Sequence, residues 1–197
     1  MLKIEYVWRE LLYRAIEQRM INFKISDLAR SFGLSTSVVS HALRPLRDLH
    51  IVEIGKNNSH IRDSEKLLFF WATRRNLTKD IIYQTYSPIS VFEREAAMPP
   101  EVSATAYSAC HLYHQLVPAD YGEVYFYAQK IEEVQKRFPF VCKKNPNTFI
   151  LTQDRYFHQY KKITLAQIFV DLWNLPEWYA KDFQEAILVK IKEKIGL

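Results

Sequence analysis

Apolar positions along the first third of the chain fall at helical spacing and then switch to alternation. From Tyr6 to Met20, Val7, Leu11, Leu12 and Ala15 form a stripe that predicts an amphipathic helix. The stretch "ISDLARSFG" predicts a second helix, with Ser26 as its N-cap and Gly33 as a left-handed stop. Ser35 is placed to cap a third helix running toward His50. "IVEIGKNNSHIR" alternates around a Gly-Lys-Asn-Asn turn and predicts a hairpin. Asp63 then opens a helix that buries Leu67, Leu68 and Trp71.

Beyond residue 76 the pattern becomes mixed. "IIYQTYS" predicts a strand, and Ser87 a cap with Pro88 in the first helical position. "SATAYSACHLYHQL" reads as one buried helix. "GEVYFYAQ" reads as a strand, "KIEEVQKRF" as a helix, and "FVCKK" and "TFILTQ" as strands around "NPN". Two closing helices follow, the second started by Pro176. Only Pro45 precedes residue 80, and the other seven prolines follow it. "TRRNLTKD" (73–80) therefore marks a boundary between residues 1–76 and 77–197. The class is α+β: an N-terminal winged helix-turn-helix followed by a mixed α+β domain.

The helix-turn-helix expectation rests on steric demands. Two helices that cross closely need a small residue at the contact, a positive φ in the turn and a branched apolar anchor. Ala29, Gly33 and Val39 supply these, and the hairpin supplies the wing. An ordinary helical hairpin in a core is the simpler alternative. At about 100° per residue, Ala42, Leu43 and Leu46 fall on the side of Val39. Ser37, His41, Arg44, Pro45 and Asp48 fall opposite, with Ser40 at the edge. That outward set is short, polar and basic, which suits reading of base edges in a DNA major groove. Arg44 leads the candidates, followed by Ser37, Ser40 and His41, with Arg47 one turn on. On the wing, Lys56, Asn57 and Asn58 tip the turn, and His60 and Arg62 flank it. Turn chemistry alone is the plainer reading of the asparagines. Pro45 removes one helical bond, to the His41 carbonyl, and is expected to bend the helix. Groove contact would then end near Arg44.

Charge sharpens this picture. The net charge is +5; residues 1–76 hold 13 Lys/Arg against 8 Asp/Glu, and residues 77–197 hold 14 of each. A basic front end on a neutral body suits a polyanion. Hydrophobic residues make up 48% of the chain, enough for a packed core, yet no apolar run is long enough to span a membrane. Two distant cysteines, Cys110 and Cys142, give neither a metal spacing nor a disulfide framework, which suits a reducing cytoplasm. The four glycines are dispersed, so phosphate-binding loops and dinucleotide fingerprints are excluded. No paired carboxylates at metal-holding spacing appear, so no enzyme activity, cofactor or metal is expected. "CHLYH" sets His111 and His114 on adjacent turns, where packing is a simpler reading than ligation. Glu93 and Glu95 fall on different faces of their helix. Dense aromatics in the second half read as core, with base or ligand stacking as the alternative.

The succession "IRDSEKLLFFWA", "SATAYSACHLY", "VYFYA", "LTQDRYF" and "ITLAQIFVDLWNLPEWYAKDFQEAI" resembles the AbiEi-type transcriptional regulators, the antitoxins of type IV toxin–antitoxin pairs. Its firmest anchors are Leu67, Leu68, Trp71, Ala72, Gln167, Asp171 and Leu172. Bulky Trp178 and Tyr179 stand where that family usually has small residues. The resemblance implies a winged-helix repressor of its own operon. It also implies a second domain that opposes a nucleotidyltransferase toxin without stable contact. Double-stranded DNA is the expected partner. A homodimer is expected as well, because one reading helix covers only a short half-site. A protein-interaction or ligand-sensing module with secondary DNA binding is the alternative.

Overall fold

The computed structural model describes residues 1–56, 58–141 and 144–196. Helix α1 (Lys3–Glu17) opens the chain, with the Leu2 N–H donating to the Glu5 carboxylate at 3.0 Å. Strand β1 (Asn22–Phe23) and helix α2 (Ile25–Ser31) follow. The cap of α2 is Lys24, whose carbonyl accepts from Asp27 and Leu28; Ser26 lies inside the first turn, two residues later than its expected role. Gly33 takes φ +54° in the turn, as expected. Helix α3 (Thr36–Asp48) is capped by Ser35, whose Oγ accepts from the Val38 N–H at 3.3 Å. Strands β2 (Val52–Glu53) and β3 (Ser59–Ile61) form the hairpin, and helix α4 (Ser64–Ala72) starts from Asp63, whose carboxylate accepts from the Lys66 N–H at 2.7 Å. Strand β1, invisible to a periodicity argument at two residues, completes an antiparallel sheet in the order β1-β3-β2.

Strand β4 (Ile81–Thr85) begins a second, mixed sheet. Helix α5 (Val91–Ala96) is capped by Ser90, in a reciprocal box with Glu93, and not by Ser87. Ser87 is tied elsewhere: its N–H donates to the Asn147 side chain at 2.9 Å, and its carbonyl accepts from the same amide. The stretch read as one helix from Ser103 is strand β5 (Ser103–Thr105) and helix α6 (Ala106–His114), separated by an abrupt turn at Ala106, φ +48°. Strand β6 (Val124–Ala128), helix α7 (Glu132–Arg137) and strand β7 (Thr148–Thr152) come next. Phe140 and Val141 lie outside any strand, because the preceding carbonyls accept from the Tyr83 and Thr85 hydroxyls instead of from a ladder. Cys142 and Lys143 lie outside the described residues. The sheet order is β4-β7-β6-β5, with β6 and β7 parallel and the outer pairs antiparallel.

Helix α8 (Leu165–Trp173), capped by Thr164, is buried on most of its surface, and α9 (Ala180–Ile195) packs on it. Pro176 does not start α9. It opens a turn in which the Glu177 carbonyl accepts from Ala180, and the helix begins there. The fold is thus α+β, with helices clustered around two sheets. Among the described residues no helix is long and apolar enough to cross a membrane.

Buried apolar side chains from both halves join in one continuous core. Helix α1 is its hub, touching α3 and α4 on one side and α8 and α9 on the other. Buried ion pairs cross the same seam. The Arg9 guanidinium holds Asp154 in a two-pronged bridge at 2.6 and 2.9 Å and donates to Gln167 at 3.0 Å. Arg75 lies against Asp80 at 2.6 Å, Asp171 at 3.4 Å and Glu5 at 3.5 Å. Asp171 also accepts from the Thr105 and Tyr127 hydroxyls at 2.7 and 2.6 Å. Burial pushes its carboxyl up, and Arg75 with the hydroxyls pulls it back down. Trp71 donates to Glu5 at 3.0 Å. Trp71, Gln167 and Asp171 therefore serve the buried polar seam.

Candidate nucleic-acid interface

Helical phase divides α3 as the sequence requires. Val39, Ala42, Leu43 and Leu46 are buried, and the Ala42 carbonyl accepts from the Trp8 indole of α1 at 2.9 Å. The inner face is thereby clamped by apolar burial and one buried hydrogen bond. Ser37, Ser40, His41, Arg44, Arg47 and Asp48 are all exposed, and Pro45 is half-buried. The helix runs unbroken through Pro45 to Asp48. Its 13 residues span about 20 Å at 1.5 Å per residue. The Lys66 ammonium donates to the Leu49 carbonyl at 2.8 Å, placing a cation where the helix dipole is negative.

Two shallow depressions share Ile25 as a common wall, one opening toward α3 and the other toward the start of α2. One, about 110 Å³, is walled by Ser40, Arg44 and Arg47 on α3 and by Ile54 on the hairpin. The other, about 160 Å³, lies between Lys24 and Ser26 at the start of α2 and Lys56 and Asn58 on the hairpin. Ser40, Arg44, Arg47, Lys56 and Asn58 thus border one continuous surface. Ser37 and His41 lie on the exposed face of α3 beyond it. Asn57 lies outside the described residues. Gly55 is required by a close approach: a Cβ there would sit 2.2 Å from the Asn58 carbonyl oxygen.

The cations on this surface differ in freedom. Arg47 is bound to Asp48 at 2.9 Å, an exposed pair that a phosphate can displace cheaply. Arg44 has no carboxylate within bridging distance among the described residues. Arg62 lies at the base of the hairpin, bridged to Glu53 at 3.3 Å. It faces a different hollow, shared with Arg19 and the end of α9. From Asn58 it is four residues away, roughly 13 Å along a strand, so it is set apart from the hairpin tip. Lys24, which caps α2 where the sequence points to Ser26, also borders this surface; a lysine just ahead of a short helix is its only signal. Two of the 13 bases in residues 1–76, Arg9 and Arg75, point inward and contribute nothing outside.

The histidines of "CHLYH" part company. His111 sits 2.6 Å from the buried Glu95, which also accepts from Tyr121. His114 is half-buried, and burial with Lys190, Lys162 and Lys194 lowers its pKa to about 4. Among the described residues, no group of three His, Cys, Asp or Glu side chains is placed to hold a metal ion. Comparison with protein-family models, curated proteins and solved structures returned no match.

Proposed function

We propose that this chain is a sequence-specific double-stranded-DNA-binding transcriptional regulator of the cytoplasm. Helix α3 acts as the reading helix of a winged helix-turn-helix, and the β2–β3 hairpin acts as its wing. The observation that carries this reading is the polar and basic strip of α3, Ser37 to Arg47, continuous with Lys56 and Asn58 on the hairpin. A helix of this length with short polar side chains at its start fits a major groove about 12 Å wide. The neighbouring lysines lie where phosphates would pass. Arg44, unencumbered by a carboxylate, is the residue for a guanine edge or a phosphate. The AbiEi-type resemblance extends the proposal to repression of the chain's own operon as a homodimer. It also suggests an antitoxin role for residues 77–197 against a nucleotidyltransferase toxin.

Selection of bound fragments from a random DNA pool tests the reading. Enrichment of a paired motif with half-sites about one helical turn apart is expected. Recovery of unenriched DNA, bound only through a steep salt dependence, would reject sequence-specific recognition.

A further inference from the structure

The parallel strands β6 and β7 end together, Ala128 opposite Thr152. In open α/β sheets ligands settle outside the carboxyl ends of parallel strands, and this mixed sheet has one such pair. Here a cavity of about 490 Å³ opens at that place, within the size range of small-molecule sites. Its apolar wall is Pro99, Val102 and Val134. Three carboxylates line it, Glu101, Glu132 and Glu133, against one ammonium, Lys130. Glu133 is paired with Lys136 at 2.6 Å. Among the described residues, Glu101 and Glu132 have no basic partner within bridging distance.

The second observation concerns Gln153, the first residue beyond β7. It is 93% buried and lines the cavity, and its N–H is used by the Ala128 carbonyl at 2.9 Å. No described side chain or carbonyl pairs with its side-chain amide, which stays open to the cavity. An amide open to the cavity, with donors and an acceptor to offer, can pair with a polar group of whatever occupies it.

We infer that this cavity is a binding site for a small organic amine: a protonated nitrogen toward the Glu132 and Glu101 carboxylates, an apolar body on Val102 and Val134, and a polar group on Gln153. The segment that forms its floor also reaches the turn between α2 and α3. Gln153 and His158 face the cavity. Between and beside them, Tyr156 donates its hydroxyl to the Phe32 carbonyl, Gln159 donates to the Ser31 carbonyl at 3.1 Å, and Asp154 holds Arg9. The Tyr156 ring packs edge-on against Phe32 at 5.0 Å. Occupancy of the cavity therefore stiffens the turn that sets α3. Only the regulatory consequence of this rests on the DNA-binding reading.

Calorimetry on the full chain with tyramine, tryptamine, putrescine and agmatine tests the site, with 4-hydroxyphenylacetate as a ring-matched anion. At least one amine should bind at one site per chain, and the anion should not. Glu132→Gln, an exposed change that spares the fold, should weaken the amine about threefold. Gln153→Met should weaken it about tenfold. Amide hydrogen exchange at Phe32–Leu34 should slow when the amine is bound. No binding by any of the four amines at millimolar concentration, equal binding of the anion, or unchanged binding by the Glu132 variant would overturn the site. Unchanged exchange at Phe32–Leu34 would overturn the coupling. Any of these results alongside intact operator binding would sink this inference alone.

Discussion

Replacing Asp154 by alanine is the sharpest perturbation of the seam between the two halves. Arg9 has a side chain with no exposed surface, and Asp154 is 6% exposed. Removing the carboxylate strands a guanidinium that keeps one protein acceptor, Gln167 at 3.0 Å, and whose Nε has no partner even in the native chain. Breaking one side of a buried ion pair costs about 3–5 kcal/mol. Total stability for a domain is about 5–15 kcal/mol. At about 2–4 °C per kcal/mol for a chain of this size, the melting temperature should fall by about 10 °C. Thermal unfolding followed by far-ultraviolet circular dichroism, supported by urea midpoints, measures it. The double variant Arg9→Met/Asp154→Ala should recover part of the loss, because no uncompensated charge remains. A fall of under about 2 °C, or a double variant less stable than Asp154→Ala, would refute the buried-pair reasoning.

Three further outcomes follow from local geometry. His114 is neutral in the folded chain down to about pH 4, whereas in the unfolded chain it takes up a proton near 6.5. Its contribution to stability is therefore complete above pH 6.5 and is lost as pH falls toward 4, and His114→Asn should flatten the urea-stability profile in that window. Gly33→Ala meets no atom within 4 Å, so only its φ of +54° is strained; a loss of about 1 kcal/mol is expected in urea titration. Gly55→Ala drives a Cβ into the Asn58 backbone, so it should distort the hairpin and weaken DNA binding more than Gly33→Ala does, measured by mobility shift at matched salt.

What could be read in advance followed from strong local rules. The faces of α3 follow from its period, its start from Ser35, and the preceding turn from Gly33. Strand β6 and the cap at Asp63 are equally local. The features that escaped are those in which distant partners decide. Ser87 resembles a cap in sequence, yet Asn147, sixty residues on, claims it. Strand β5 carries small residues that suit a helix, and pairing with β6 makes it a strand. Charge counting placed Arg9 and Arg75 on the basic front, whereas the carboxylates of the second half draw them inside. The cavity beside Gln153 is formed by the ends of two strands and the loops beyond them, so no single stretch announces it. Pro45 sits within an unbroken helix, its missing N–H aimed at the exposed turn of His41.

We propose that α3 reads DNA through Arg44. Fluorescence anisotropy with the selected operator, wild type against Arg44→Ala at one salt concentration, tests it most directly. Specific binding should weaken by about 1–3 kcal/mol with the fold intact. An Arg44→Ala chain that binds its operator as tightly as wild type would contradict it.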